Sequence, residues 1–426
     1  MKLHQIFLPL LAALISFQSR AATNQVQDGL NTAIEHLRNL EYDAAKSQLR
    51  GCVDAHPSDL QAWNYLAIAT LYDEMFERGV LESGVYGEGG DIFKPSKVAV
   101  TPSFQQELFS ILDKSQQLAE DRLKSDPNDK DAMYWAGVGH GTRATYHFAL
   151  RKEYLAALHE ATAAYNYHMG LIKLDADYVD SYLVVGVNNY VVGSLPWYFK
   201  VIASMTGRHG DRAEGLRQVK RVTEQGNYAR EDSKLMLAVL YQREKMYARA
   251  LSLYQEMAHS FPRNYLLQYE VSNLLGTTND WKSAAESYDS ILAKHRAGDT
   301  GYENVPIAKV LYKSGQAYQH LQQDESALNR YLAAAALPGT DRYIYLSAFE
   351  AANLYVRQQR PAAACALYHQ VATGMPDTEE GKASRREFRK LEGTHSCQKL
   401  SSSRSAARGF ETILYNLSNR PDTQDA

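Results

Sequence analysis

The densest group of side chains able to do chemistry is the run Arg-His-Gly-Asp-Arg at residues 208–212. Its three basic side chains are candidates for an anion site: Arg208, His209 and Arg212. Free backbone N–H groups at the start of a following helix would add partial positive charge there. Asp211 competes for the same groups, since with Glu214 three residues later it forms a capping box. A structural joint between two helices is the favoured interpretation, with Ser194 as the cap of a helix that begins at Leu195.

A glycine- and histidine-rich stretch, residues 134–215, contains fragments of catalytic motifs. Gly137, Gly139 and Gly141 have neither the spacing of a dinucleotide loop nor a following Gly-Lys-Ser/Thr, so close helix packing is the favoured explanation. His159 and Glu160 match the first two residues of the zinc-protease motif His-Glu-x-x-His, but Ala163 occupies the position of the second histidine.

A shared zinc ion on the remaining histidines is not expected. His140 and His147 are seven residues apart, which separates them by about 10 Å along a helix, too far for one ion. With His168, they are expected to be partly buried, hydrogen-bonded histidines. The sequence therefore predicts no catalytic residue, no metal and no cofactor, and the chain is not expected to be an enzyme.

The bulk composition excludes two classes of partner. The chain has 426 residues, with 46 Lys and Arg against 49 Asp and Glu, a net charge of −3. This acidic balance argues against nucleic acid as a partner. The longest apolar run is the one near the start, from Ile6 to Phe17, and it is too short for an integral membrane span.

The first 21 residues have the pattern of a signal peptide. Lys2 precedes the apolar run, and small residues including Ala21 follow it. No cysteine follows the run, so we expect an exported protein without a lipid anchor, located in the periplasm. Cys52, Cys365 and Cys397 are too few for a disulfide framework. Buried free thiols and a single Cys365–Cys397 bridge are both compatible with the sequence.

The clearest signal is internal repetition with a period near 34 residues. Four alanines recur in second helices, each with a tyrosine four residues later: Ala250, Ala284, Ala327 and Ala364 with Tyr254, Tyr288, Tyr331 and Tyr368. Small residues recur in the preceding helices: Ala238, Ser272, Gly315 and Ala352. This pattern resembles the tetratricopeptide repeat, and it predicts an all-α solenoid of helical hairpins.

The pattern divides the chain into four segments after the signal peptide is set aside. Residues 22–225 are an irregular helical-repeat region with a glycine-rich insertion at 79–96, and residues 226–376 contain four regular repeats. Residues 377–393 form a basic helix that caps the array, and residues 394–426 form a flexible tail.

The middle of the chain is similar to one particular group of repeat proteins. Ser194-Leu195-Pro196, Gly210-Asp211-Arg212 and Gly215-Leu216 resemble motifs of the tetratricopeptide-repeat protein 39 and inclusion-body-clearance protein family. The similarity covers about residues 130 to 300. It implies a helical adaptor protein without catalysis, although the signal peptide separates this chain from an intracellular role.

In a tetratricopeptide array the first helices line a groove, and the residues three before and one after each small anchor point into it. The candidates for a peptide groove are Leu235, Tyr269, Asn273, Tyr312, Gln316, Phe349 and Asn353. Aromatic rings can cover apolar side chains, and amides can pair with peptide groups. We expect Lys309 and Arg243 to lie at the margins of this groove. Packing of the rings against neighbouring helices is the competing interpretation.

The predicted function is therefore that of an exported scaffold or adaptor that binds a protein or extended peptide in this groove. No small-molecule substrate is indicated. Two alternatives remain open, an enzyme with a pocket in residues 134–215 and a membrane-surface adaptor that uses the basic cap helix.

Overall fold

A computed structural model describes residues 27–81, 99–194, 210–394 and 396–397. These residues contain helices and no strand, which confirms the all-α class. The chain forms two compact units, Met1–Asn264 and Tyr265–Ala426. The signal peptide, most of the predicted insertion at 79–96 and nearly all of the predicted tail lie outside the described residues.

The described part of the first unit is a series of antiparallel helices. They are α1 (27–38), α2 (Tyr42–Ala55), α3 (Leu60–Glu77), α4 (Pro102–Ser125), α5 (Lys130–Thr145), α6 (Tyr154–Leu174), α7 (Tyr182–Ser194), α8 (Arg212–Gln225), α9 (Arg230–Arg243) and α10 (Tyr247–Ser260). A π-helical turn, Tyr146–Arg151, extends α5, and a 3-10 turn, Val179–Ser181, precedes α7.

The second unit continues the same arrangement in its own set of helices. They are α11 (Tyr265–Thr277), α12 (Trp281–Ala297), α13 (Ile307–His320), α14 (Asp324–Ala335), α15 (Arg342–Arg357), α16 (Pro361–Gly374) and α17 (Glu379–Gly393). Helix α13 packs on α15, the first helix of the next hairpin, and α15 packs in turn on α17. The first helices therefore form the inner layer of this unit.

Six hairpins close through the same backbone turn. In each turn one non-glycine residue is left-handed, two positions before the second helix begins: Leu40, Lys152, Lys245, Asn279, Gln322 and Gln359. The next N–H then reaches back five residues in most of these turns, as in Met246 N to Tyr241 O at 2.8 Å and Asp280 N to Leu275 O at 2.9 Å. These bonds satisfy carbonyls that the helix end leaves open.

The α3–α4 and α7–α8 hairpins lack this turn among the described residues. Their two helices are separated by residues 78–101 and 195–211, which contain the stretches that the structure does not describe. The two glycine-containing irregular stretches of the sequence therefore fall at the same place in the hairpin, between its first and second helix.

The helices α7 and α8 cross at very short range. An added Cβ on Gly215 would lie 2.5 Å from Gly186 O and 2.6 Å from Tyr190 N, and one on Gly210 would lie 2.3 Å from Gly193 N. Only residues without a side chain allow the two backbones to approach this closely. Gly193 lies just before the irregular stretch and Gly210 just after it. These glycines therefore allow α7 and α8 to pack closely on either side of it.

Two predictions about this joint have different outcomes. Asp211 caps α8 as expected, accepting a hydrogen bond from Glu214 N at 3.0 Å. Ser194 does not have the backbone of an N-cap, because it is the last described residue of α7 and donates to Tyr190 O at 2.7 Å. The helix predicted to begin at Leu195 lies outside the described residues. A helical serine whose hydroxyl bonds the preceding turn cannot act as an N-cap, which needs a non-helical backbone.

The division between the units falls inside the predicted regular array, after its first hairpin. Arg263 N donates to Asn39 Oδ1 at 3.1 Å, and Asn264 Nδ2 donates to Arg38 O at 2.7 Å. Arg263 Nε also donates to Glu41 Oε1 at 2.6 Å. The end of the α9–α10 hairpin is thus bound to the turn between α1 and α2, which explains why it belongs to the first unit.

We expect Ala327→Leu to destabilise the second unit. Ala327 is fully buried in α14, and the facing helix is so close that a Cβ on Gly315 would lie 2.6 Å from Tyr331 Cε1. The added methyl groups therefore have no space, and overpacking of this kind costs about 1 to 3 kcal/mol. Thermal unfolding followed by circular dichroism measures the loss. Gln323→Leu, at an exposed position before α14, is the control, and equal melting temperatures for both variants would contradict the packing described.

Candidate peptide-binding surface

Six of the seven predicted groove residues lie on the three first helices of the second unit. We call them the aromatic–amide row: Tyr269 and Asn273 on α11, Tyr312 and Gln316 on α13, and Phe349 and Asn353 on α15. Leu235 occupies the corresponding place on α9 in the first unit, where 41% of its surface is exposed. The site is therefore built from the second unit alone.

Each ring of the row packs on a tyrosine from the second helix of its own hairpin. The ring centroids of Tyr269 and Tyr288 are 6.0 Å apart, those of Tyr312 and Tyr331 6.0 Å, and those of Phe349 and Tyr368 6.4 Å. Tyr269 is buried by this packing, whereas Tyr312 and Phe349 remain partly exposed. Two of the three rings can therefore contact a partner, and Tyr269 serves the core.

The amides of the two outer hairpins are held by the same second-helix tyrosines. Tyr288 donates its hydroxyl hydrogen to Asn273 Oδ1 at 2.7 Å, and Tyr368 donates to Asn353 Oδ1 at 2.8 Å. Fixing the oxygen orients the amide before any partner binds, which lowers the entropy lost on binding. The sequence carried a signal for this bond, an asparagine followed by a tyrosine fifteen residues later.

The middle hairpin uses its amide differently. Gln316 Nε2 donates to the Tyr312 hydroxyl at 3.0 Å, within the row itself. Tyr331, which corresponds to Tyr288, donates instead to Gln319 Oε1 at 2.9 Å. Gln316 and Tyr312 thus form one hydrogen-bonded unit on the inner layer, and both side chains are partly exposed.

Three charged side chains lie within the row. Lys309 was expected at its margin, and Lys313 and Glu350 were not predicted. Lys309 Nζ is 4.9 Å from the centre of the Tyr269 ring and 5.7 Å from that of Tyr343, so Lys309 is not marginal. Burial and the nearby charge of Lys309 lower the pKa of the Lys313 ammonium. Burial raises the pKa of the Glu350 carboxyl, although Asn353 hydrogen-bonds to it. The sequence does mark Lys313 and Glu350, because each is a charged residue two positions before a small anchor, Gly315 or Ala352.

The same positions are closed on α3 and α5 of the first unit. Asn64 and Tyr134, three residues before Ala67 and Gly137, correspond to Tyr312, and both are buried. Asn64 Nδ2 donates a hydrogen bond to Ser115 Oγ at 2.8 Å, and the centre of the Tyr134 ring lies 5.7 Å from that of Tyr228. A partner can therefore reach the row in the second unit but not its counterpart on α3 and α5.

The candidate anion site is only partly described. Arg208 and His209 lie outside the described residues. The Arg212 guanidinium forms an ion pair with Glu244, which also accepts a hydrogen bond from the Tyr190 hydroxyl at 2.7 Å. Asp211 uses the backbone N–H of Glu214. These contacts are those of a joint between α7, α8 and the end of α9, and anion binding stays a prediction.

The histidines of the proposed enzyme pocket are paired one by one. His140 Nδ1 lies 2.6 Å from Glu160 Oε2, and His147 Nδ1 lies 2.8 Å from Glu153 Oε2. His168 is buried, with Nδ1 3.2 Å from Ser181 Oγ. A Cβ on Gly137 would lie 2.6 Å from His168 Nε2, so Gly137 is a close-packing residue as predicted.

Two properties of the described residues bear on other functions. They contain no group of three or more His, Cys, Asp or Glu side chains placed to hold a metal ion. Nor do they contain a helix with the length and apolar content that crossing a membrane requires.

Residues 232–264 match the family model described as the tetratricopeptide repeat. This match coincides with α9, α10 and the turn that follows them. No curated protein matches the chain. The repeating hairpins and this match together support a tetratricopeptide-repeat protein, while the resemblance to the tetratricopeptide-repeat protein 39 and inclusion-body-clearance family stays a prediction.

Several solved structures have a similar fold. Yeast Tom70 is 13% identical over 93% of this chain and 96% of its own, with a TM-score of 0.34. A human IFIT1 dimer with m7Gppp-AAAA is 13% identical over 93% and 95%, with a TM-score of 0.38. A tetratricopeptide repeat protein from Parabacteroides merdae is 11% identical over 76% and 97%, with a TM-score of 0.28. These scores are low, so the architecture rests on the hairpins themselves.

Proposed function

We propose that this chain is an exported scaffold whose second unit binds an extended segment of another protein along the aromatic–amide row. The observation that carries the proposal is the set of oriented amides beside accessible rings on consecutive first helices. An extended peptide presents a backbone N–H and C=O at every residue, and amides can pair with both. The helical-hairpin repeat is a fold typical of protein-binding scaffolds.

The row also suggests what kind of segment fits. Tyr312 and Phe349 offer partly exposed rings, which favour apolar or aromatic side chains on the partner. Lys309 and Lys313 on α13 favour a carboxylate near one end of the segment. Glu350 lies one hairpin further along, on α15, and favours a cation or a neutral hydrogen-bond donor on the partner segment. The partner segment is therefore a mixed-charge peptide with an apolar centre.

Export is the second part of the proposal. The predicted signal peptide at residues 1–21 supports it, and so does the disulfide bond between Cys365 and Cys397. Disulfides persist in oxidising compartments such as the periplasm and are rare in the cytosol. Fusion of the first 30 residues to a reporter that is active only after export tests this part independently of binding.

We expect the double variant Gln316→Arg, Asn353→Arg to lose partner capture. Two new guanidinium groups would project from the first helices, where they replace the oriented amides with bulk and charge. Capture of the partner from an envelope extract by immobilised wild-type chain, followed by quantitative mass spectrometry, gives the reference. The double variant should retain less than about a tenth of that partner, a loss of about 1.4 kcal/mol or more in binding free energy.

Two controls separate binding from stability. Asn353→Arg removes the hydrogen bond from Tyr368, which costs about 1 kcal/mol of folding free energy. Tyr368→Phe removes the same bond but keeps the Asn353 side chain, so it should have a similar folding cost and retain far more of the partner than the double variant. Asn329→Arg with Ala362→Arg adds the same charge at exposed positions of the second helices. Full capture by a folded Gln316→Arg, Asn353→Arg variant would place the binding surface elsewhere.

A further inference from the structure

The disulfide bond has a second consequence, because of where it attaches the chain. Cys365 is buried in α16 of the second unit, and its Cα lies 5.8 Å from that of Cys397. Residues 398–426 follow immediately after Cys397. The bond therefore ties the start of this 29-residue C-terminal segment to the same unit that carries the aromatic–amide row.

We propose that residues 404–425 of this segment occupy the aromatic–amide row of their own chain and compete with the external partner. The inference rests on the proposed function, since it uses the same surface. It commits to one occupant, the C-terminal segment. Its basis is the tether, the length of the segment, and the match of its apolar stretch and acidic end to the row.

The length of the segment fits the distance it must cover. Packed helices lie about 8 to 10 Å apart, so α13 is about 20 Å from α17 across α15. Helix α15 packs directly on both of them. Cys397 and Phe410 are 13 residues apart, and a random coil of that length has a root-mean-square end-to-end distance of about 20 Å. The apolar part of the segment can thus reach the row without strain, and its effective concentration there is near its maximum.

The apolar stretch and the acidic end of the segment have counterparts on the unit in the same order. Along the segment, basic residues come first, an apolar stretch follows, and acidic residues come last: Arg404 and Arg408, then GFETILYNL at 409–417, then Asp422 and Asp425 after Arg420. Helix α17 at the tethered end is mixed in charge, with five Lys and Arg residues among four Glu residues. Beyond it the unit offers the carboxylate of Glu350, then the rings of Phe349 and Tyr312, then the amines of Lys313 and Lys309.

Contacts across the row show that these groups share one face. The Tyr312 ring lies 5.5 Å from that of Tyr343, and Lys309 lies above the same Tyr343 ring. The Glu350 carboxylate is close enough to the Tyr312 and Tyr368 hydroxyls to help raise the pKa of each, after burial. A segment that runs from α17 toward α13 therefore brings its apolar part to the rings and its acidic end to the amines.

A peptide of residues 404–425 is the probe for this proposal. We expect it to bind a chain that ends at Gln398, which keeps both units and the disulfide bond. The full chain should bind the same peptide at least about 10-fold more weakly, because the tethered copy is present at an effective concentration near the millimolar range. Isothermal titration calorimetry measures both affinities, and a peptide of the same composition in scrambled order is the control.

Charge reversal tests the orientation. Lys309→Glu with Lys313→Glu in the shortened chain should lower the peptide affinity, and a peptide with Asp422→Lys and Asp425→Lys should restore it. Equal affinity of the full and shortened chains for the original peptide would overturn the proposal, as would no binding to the shortened chain. A dimer of the full chain in light scattering that dissociates on truncation would overturn it too, because the segment would then bind a second copy.

These results are distinguishable from those for the proposed function. If the shortened and full chains capture the partner equally, and row variants still abolish capture, then the row binds the partner and the intrachain competition is absent. If row variants leave partner capture intact but abolish peptide binding, the row serves the chain's own segment alone. The first result overturns this inference, and the second overturns the proposed function.

Discussion

Gly215→Ala is expected to lower the free energy of unfolding of the first unit by about 3 kcal/mol or more. The new methyl group would lie 2.5 Å from Gly186 O and 2.6 Å from Tyr190 N, and both of these are backbone atoms of α7. Backbone atoms cannot rotate away as a side chain can, so α7 and α8 must separate along their contact. Overpacking typically costs about 1 to 3 kcal/mol, and loss of the surrounding helix contacts adds to it.

The matched control is the same substitution in another helix of the same unit. Gly141 lies in α5, and an added Cβ there would have no atom within 4 Å. Gly141→Ala should therefore stabilise the unit by about 0.5 to 1 kcal/mol, because alanine loses less entropy in a helix. Urea unfolding followed by circular dichroism measures both variants. If Gly215→Ala unfolds at the same denaturant concentration as the wild type, the crossing is not as close as described.

The regular part of the fold could be predicted because its packing leaves a local mark in the sequence. A small residue such as Ala327 must occur where two helices nearly touch, and an aromatic residue such as Tyr331 fills the space beside it. Both demands recur with each hairpin, so a period of about 34 residues is visible without any structure. The N-cap at Asp211 was predictable for the same reason, since it depends on neighbours in sequence.

Other parts of the fold depend on residues far apart in the chain. Asp180 accepts hydrogen bonds from Asn227 N at 2.8 Å and Ala229 N at 3.0 Å, and so fixes the turn before α9. Arg263 bonds to the turn between α1 and α2, more than 200 residues away. Nothing in the local sequence marks these pairs. The left-handed turn residues are also unmarked, because Leu40 and Lys245 hold a conformation that normally favours glycine.

The candidate site was predictable in position but not in chemistry. The offsets from Gly315 and Ala352 placed Tyr312, Gln316, Phe349 and Asn353 on the inner layer, where the structure also has them. The state of each side chain depends on its hairpin partner, which the offsets do not give. The amide of Asn353 is held by Tyr368, and Tyr269 is buried against Tyr288. The row is therefore more rigid and less aromatic than the sequence suggested.

Stability of the first unit is expected to fall on mild acidification because of one buried histidine. Burial lowers the pKa of His168 from 6.5 to about 3, and its Nε2 has no hydrogen-bond partner within the described residues. Between these two values the unfolded chain binds a proton at this side chain and the folded chain does not. Stability is therefore fully present above about pH 6.5 and is lost as the pH falls toward 3.

The expected loss is on the order of 3 kcal/mol at pH 4, since each unit of pKa difference corresponds to about 1.4 kcal/mol. Carboxylates also titrate in this range, so the measurement must compare variants rather than read one curve. His168→Gln removes the titrating group, and the difference in unfolding free energy between pH 7 and pH 4 should shrink by about that amount. His259→Gln, at an exposed position of α10, should leave the difference unchanged. An unaltered pH dependence in the His168→Gln variant would mean that the imidazole reaches solvent or finds a partner in the folded chain, and the close packing of Gly137 on this ring would then be wrong.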